Sequence, residues 1–225
     1  MEQISLNGTW RLRGSDGQRG RKEYAERDET DTARYIDATV PGEVHLDLMR
    51  AGLLAEPCEG LNALAARWVE ESIWSYRRDF DAPADAVAGR AWLVFEQLDL
   101  AAVVVLNGQT IGEHSNFFYP CRIDVTGKLK PGRNLLSVHV EAGLFKTMNK
   151  SSEGYAVHLD SQLAKRPWLR KPQSQFGWDW STRMLNVGIS GGVRLEWTAA
   201  PMRVDSVVPL ATVSDDFKTA TLRAR

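Results

Sequence analysis

Along residues 6–13 (LNGTWRLR) a turn at Asn7-Gly8 is followed by alternation, with Trp10 and Leu12 on one side and Arg11 and Arg13 on the other. That period predicts a half-buried strand. Residues 15–34 are charged and nearly free of large aliphatic side chains, so a surface loop is expected there. A second strand over 35–40 ends at Pro41-Gly42. Val44, Leu48 and Ala51 then recur at helical spacing with Gly52 at the position of a left-handed cap, which predicts a short helix over 43–50. Trp74, Tyr76 and Phe80 alternate with Ser75, Arg77 and Asp79 as a strand with an aromatic inner face. Residues 91–96 and 102–106 are rich in β-branched and aromatic side chains, and Asn107-Gly108 joins the second run to 109–112 as a hairpin. After a turn at Pro131-Gly132, Leu136, Val138 and Val140 alternate with Ser137, His139 and Glu141. Residues 144–166 show no single period and are read as a helix and a long loop. Val193, Leu195 and Trp197 against Arg194 and Glu196 give a closing strand.

Many short alternating strands, separated by Gly, Pro and Asn turns and with one or two short helices, predict an all-β, two-sheet sandwich. No internal repeat is visible. Beyond Ala200-Pro201 the pattern gives strands over 204–213 and 219–224, split by a turn at Ser214-Asp215-Asp216. Two strands alone are marginal in water. The expected organisation is therefore one sandwich over 1–200 and the first strands of a further, truncated β domain over 201–225.

Composition narrows the function. With 28 basic and 29 acidic residues in 225 the net charge is −1, which gives no reason to expect nucleic acid or a membrane surface as partner. No run approaches the ~20 apolar residues of a bilayer span, and the start has no basic and apolar leader pattern. Cys58 and Cys121 form neither a disulfide framework nor a zinc spacing, so a cytoplasmic setting is expected. His45, His114, His139 and His158 lack ligand spacing, and no phosphate-binding glycine loop is present, so no metal or cofactor is expected.

The chemistry concentrates in residues 168–197, where four of the eight tryptophans fall. Trp168, Trp178 and Trp180 surround Asp179 in sequence, with Arg170, Lys171 and Arg183 nearby. An aromatic surface with one carboxylate suits a pyranose, whose C–H face lies on an indole while vicinal hydroxyls donate to the acid. The same pattern also describes a strand with one face in the core and Asp179 at a turn or on the surface. Gly188-Ile189-Ser190-Gly191-Gly192 has the G-x-S-x-G form, but a strand pattern follows it where a nucleophile elbow needs a helix. Glu70-Glu71, placed on a strand, would point to opposite faces and make a poor pair for glycoside hydrolysis.

KPQSQFGWDW at 171–180 followed by GISGGVRLEW at 188–197 resembles the close of the amino-terminal domain of β-mannosidases in glycoside hydrolase family 2. PGEVHLD at 41–47 with Ala51-Gly52-Leu53, WVEESIWSYRRDF at 68–80 and FEQLDLAAVVVLNGQTIG at 95–112 are similar to the same family in the same order. The resemblance implies a jelly-roll, galactose-binding-like sandwich followed by an immunoglobulin-like domain. It implies that both catalytic glutamates lie in a later (β/α)8 barrel, so that this chain carries no catalytic residue and is inactive alone. It further implies that Asp179 enters the terminal-sugar subsite, bent there at Gly177 and anchored by Trp178 and Trp180 in apolar surroundings, with Glu71 on a second approach. The partners implied are a terminal β-mannoside or related β-glycoside and the barrel of the same polypeptide. Ser181-Thr182 and Ser190-Gly191-Gly192 depart from the family's usual Gly-Pro and Trp-Arg-Pro, which leaves the loop shape and the exact sugar open. Another family 2 activity, such as β-galactosidase or β-glucuronidase, a stand-alone carbohydrate-binding module and a purely structural interaction domain remain alternatives.

Overall fold

A computed structural model of the chain describes residues 1–16, 35–151, 163–200, 204 and 206–224. The alternation of Trp10 and Leu12 becomes β2 (Gly8–Asp16), preceded by β1 (Glu2–Ser5), and the strand at 35–40 becomes β3 (Ile36–Val40). The predicted helix is α1 (Val44–Arg50). It ends in a Schellman arrangement, in which the Gly52 N–H donates to the Met49 carbonyl and the Leu53 N–H to that of Leu48. Two further helical turns, α2 (Asn62–Ala65) and a 3-10 turn (Ala66–Val69), lead into β4 (Ser72–Ala82). Then come α3 (Ala84–Ala88), β5 (Arg90–Phe95), β6 (Ala101–Leu106), β7 (Gln109–His114), β8 (Cys121–Asp124), β9 (Gly132–Glu141) and α4 (Leu144–Thr147). Two 3-10 turns (Leu163–Trp168 and Gln173–Phe176) precede β10 (Val193–Thr198), and β11 (Pro209–Val213) and β12 (Ala220–Ala224) follow it.

The strands form a six-stranded antiparallel sheet in the order β3-β2-β4-β9-β6-β7 and a four-stranded one in the order β1-β10-β5-β8. One core fills the space between them. Trp10, Leu12, Trp74, Tyr76 and Phe80 from the larger sheet join Leu93, Phe95, Ile123, Leu195 and Trp197 from the smaller. At ~1.5–3 kcal/mol for each large side chain taken from water, this layer is the main favourable term holding the sandwich together. The β6–β7 connection carries Asn107 at φ 53° and Gly108 at φ 82°, the left-handed pair that a tight hairpin requires.

The alternation misread the outer faces. Ser75 and His139 were expected toward water but are buried, where the Ser75 hydroxyl and His139 Nδ1 satisfy one another at 2.8 Å. Glu141 is fully buried because its carboxylate accepts the Gly143, Phe145 and Lys146 N–H groups at the start of α4. Glu196 is buried between Arg122 and Arg194. The expected loop at 15–34 lies outside the described residues apart from Ser15 and Asp16, which extend β2, and so does the 152–162 part of 144–166. The last strands are shorter than expected and lie at 209–213 and 220–224, with every residue exposed. No helix among the described residues is long and apolar enough to cross a membrane.

Candidate functional site

The stretch that leads to Asp179 is held by apolar side chains on both sides of it rather than by its tryptophans. Phe176 closes the 3-10 turn and is buried, and Leu185, Val187 and Ile189 follow as buried alternate residues. These last residues form a ribbon outside the sheets. The Val44 N–H donates to the Val187 carbonyl at 3.0 Å, that of Gly42 to Ile189 at 2.9 Å, and Gly188 and Asp99 exchange backbone bonds at 2.8 and 2.9 Å. Between the two anchors the chain makes a short excursion, closed by the Met184 N–H on the Gln175 carbonyl at 3.0 Å. Gly177 at φ 105° and ψ 143° supplies the bend, in a region that side-chain-bearing residues avoid. Trp178 and Ser181 then exchange two backbone bonds of 3.2 Å, which leaves Asp179 and Trp180 at the apex of a tight turn.

Asp179 is exposed, Trp178 is 56% exposed and Trp180 84%. The expectation that the two indoles sit in apolar surroundings is therefore corrected: they project, and Phe176 and Leu185 do the anchoring. The basic residues near Asp179 in sequence are committed elsewhere. The Lys171 ammonium is fully buried 2.9 Å from Asp99 and donates to the carbonyls of Ala142 and Asn186 at 3.2 and 2.8 Å. Arg183 is buried in an ion pair with Glu70, whose second oxygen accepts the Leu185 N–H at 3.3 Å.

That ion pair brings the second candidate region to the first. Glu70 and Glu71 lie on the turn that follows the 3-10 turn Ala66–Val69, not on a strand, so they differ in burial rather than in face: Glu70 is buried and Glu71 exposed. Trp68, 44% exposed, leans on Trp74 with ring centroids 5.7 Å apart. The arrangement can present a solvent-facing carboxylate between exposed indoles, which suits hydroxyl acceptance beside an aromatic face.

Sequence reasoning missed a polar network beneath this apex. Gln175 Nε2 donates to Asp99 Oδ2 at 3.0 Å, Gln175 Oε1 accepts the Asn186 N–H at 3.1 Å, and Asn186 Nδ2 donates to Glu43 Oε1 at 2.9 Å. Burial pushes Glu43 up to about 7, with the Asp99 charge adding to the rise and Lys171 and Asn186 opposing it. Burial, then the Lys171 charge, holds His45 down to about 4. Asp99 and Glu70 are also raised by burial, against the pull of Lys171 and Arg183 respectively. A carboxylate set among large aliphatics, as in Leu98-Asp99-Leu100, was the available signal.

Other motifs resolve as structure. The 188–192 segment runs into β10 with no helix after it, so it is no nucleophile elbow. Cys58 and Cys121 are unbonded thiols. Among the described residues no group of three His, Cys, Asp or Glu side chains could hold a metal ion.

The profile of the family described as glycosyl hydrolase 2 galactose-binding domain-like matches residues 10–191. A β-mannosidase B of Thermothelomyces thermophilus is 36% identical over 181 residues, covering 77% of this chain and 21% of that protein. One of Emericella nidulans is 38% identical over 162 residues, 70% of this chain and 19% of that protein. The chain thus spans about a fifth of the length of these curated relatives. Among solved structures, the β-D-mannosidase of Dictyoglomus thermophilum superposes with a TM-score of 0.82 at 29% identity over all of this chain and 26% of its own. A β-glucuronidase of an uncultured Clostridium species shares the fold, with a TM-score of 0.66 at 21% identity over 99% of this chain and 33% of its own. A two-sheet sandwich matched over most of its length by that profile places the chain in one family: it belongs to the glycosyl hydrolase 2 galactose-binding domain-like proteins.

Proposed function

We propose that the chain is the amino-terminal domain of a β-mannosidase-like retaining exo-glycosidase, and that its contribution is one carboxylate, Asp179, lent to the terminal-sugar subsite. The observation that carries this reading is the apex itself, an exposed acid on a projecting turn with exposed indoles on either side. An acid kept only for structure would be expected to spend its charge on the Lys171 or Arg183 nearby, yet both are buried against other carboxylates. Trp178 and Trp180 would border the sugar and Glu71 would approach from the neighbouring turn. The two glutamates that cut the bond would lie in a (β/α)8 barrel of a longer polypeptide, and 201–225 would open an immunoglobulin-like domain between them. The fully exposed β11–β12 pair supports this, since such a ribbon needs a packing partner. Unbonded thiols support a cytoplasmic setting.

A charged hydrogen bond to a sugar hydroxyl is worth roughly 1.5–3 kcal/mol. Asp179→Asn in the longer polypeptide is therefore expected to lower kcat/KM for an aryl β-mannoside about ten- to a hundredfold. Near-normal kinetics would overturn the assignment, and turnover of the same substrate by the 225-residue chain alone would overturn the division of labour. The exposure of both indoles also favours a second reading, a stand-alone carbohydrate-binding module, for which the isolated chain would bind mannose or a mannoside at micromolar concentration.

A further inference from the structure

The excursion that carries Asp179 has little of its own to hold it in one place. Its apex is exposed, its two indoles project, and the turn is closed by two backbone bonds of 3.2 Å. Its feet are different. Lys171 lies eight residues before Asp179 and Arg183 four after it, and each buries its charge against a carboxylate from a distant part of the chain, Asp99 for one and Glu70 for the other. Asp99 sits between β5 and β6, and Glu70 on the turn before β4.

Buried ion pairs contribute little net stability, because the cost of stripping water from both charges offsets their attraction. What they supply is registry: a buried ammonium with all its donors directed, or a buried guanidinium held to one carboxylate that also takes a backbone N–H, tolerates few alternative placements. Lys171 is directed at three acceptors at once, the Asp99 carboxylate and the Ala142 and Asn186 carbonyls, and Asp99 is held in turn by Gln175. Glu70 takes both the Arg183 side chain and the Leu185 backbone, so the returning limb is fixed at two consecutive odd positions. We infer that Lys171 with Asp99 and Arg183 with Glu70 are positioning residues, two charged stakes that set where the Asp179 apex stands without touching what it binds. The inference rests on the reading of Asp179 given above for its functional meaning, but its physical content does not.

The experiment is made on the 225-residue chain with no sugar present. Amide hydrogen exchange is followed across 174–184, and the fluorine resonances of 5-fluorotryptophan at 178 and 180 are assigned by Trp178→Phe and Trp180→Phe. Two double variants replace a pair by apolar side chains, Lys171→Met with Asp99→Leu and Arg183→Met with Glu70→Leu, which removes the charges without leaving one orphaned. The expected result is exchange across 174–184 faster by roughly tenfold or more, with shifted or split resonances at 178 and 180, while the resonances of Trp10 and Trp197 in the core stay put. Unchanged exchange and unchanged apex resonances in a folded double variant overturn the inference. Should a double variant unfold, Arg183→Lys keeps the charge but not the guanidinium nitrogen that reaches Glu70; an apex unaltered by it overturns the inference equally, and faster exchange confined to 177–185 supports it. A loosened apex together with normal kinetics of Asp179→Asn would remove the sugar-site reading and leave the stakes standing. A fixed apex together with impaired Asp179→Asn would do the reverse.

Discussion

Arg183 and Glu70, 113 residues apart in the chain, form a buried ion pair that joins the limb leaving the Asp179 turn to the segment entering β4. The two partners are not equivalent. An arginine cannot shed its charge in a protein, whereas a carboxylate can take a proton, and burial already pushes Glu70 up despite the guanidinium beside it. Glu70→Ala should therefore cost about 3–5 kcal/mol at neutral pH, the usual penalty for orphaning a buried charge. Arg183→Met should cost less, and its deficit should shrink as pH falls and Glu70 becomes neutral. Urea titrations at pH 5 and pH 7.5 measure both. Arg183→Met proving the worse of the two at pH 5 would sink this account.

The exposed indoles of Trp178 and Trp180 predict an unusual mutational contrast. Trp180→Ala removes a side chain that is 84% exposed and should change stability by no more than about 0.5 kcal/mol. Trp74→Ala removes one that is 2% exposed and donates its indole N–H to the Val69 carbonyl at 2.8 Å, so a loss of about 3–5 kcal/mol is expected. Thermal unfolding of the two variants compares them directly. A destabilisation of Trp180→Ala near that of Trp74→Ala would mean that the apex is packed and not projecting.

The strands were legible because a period of two survives wherever one face meets the core, as at Trp10 and Leu12 or Leu136, Val138 and Val140. The hairpin at Asn107-Gly108 was legible from backbone chemistry alone. Alternation cannot report what lies beyond the second face, which is why Ser75, His139 and Glu196 were placed toward water. The same limit applied at the site. Asp179 and its neighbouring bases are close in sequence, but Lys171 and Arg183 are buried through partners 72 and 113 residues away, and local pattern carries no trace of such pairings. The indoles misled for a related reason: tryptophan is read as core by default, and only the fold shows that Phe176 and Leu185 had already taken the interior positions.

Gly177 should be the most sensitive backbone position of the excursion. A Cβ there would find room, its nearest neighbour being the Arg183 Cβ at 3.9 Å, so crowding is not the difficulty. The conformation is, since φ 105° with ψ 143° is strained for any residue with a side chain. Gly177→Ala is expected to cost about 1–3 kcal/mol, or to escape that cost by re-aiming the turn. Near-ultraviolet circular dichroism and denaturant unfolding distinguish these outcomes. An alanine variant equal to the parent in both would show that the bend does not depend on glycine.

Glu43 and His45, two residues apart at the start of α1, should give the fold pH dependences that oppose each other. The Glu43 carboxyl rises from an ordinary 4.5 to about 7, so across that window the folded chain holds a proton that the unfolded chain has lost, and stability from this group falls as pH rises. His45 falls from 6.5 to about 4, so across that window the unfolded chain holds the extra proton, and stability from this group rises with pH. Between about 4.5 and 6.5 the two slopes nearly cancel. Glu43→Gln removes one of them: its stability relative to the parent should climb from pH 4.5 to pH 7 by about 2 kcal/mol, allowing for the water that still reaches the carboxyl. His45→Asn should move the other way between pH 4 and pH 6.5. Taking each variant as a difference from the parent cancels the contributions of Asp47 and Glu70, which are also raised by burial, whereas Asp99, coupled to Glu43 by charge, is carried within the Glu43→Gln difference. A flat Glu43→Gln curve would show that Asn186 and Lys171 offset the burial of that carboxyl more completely than their geometry suggests, and a flat His45→Asn curve, or two curves of one sign, would overturn the opposition of the two groups.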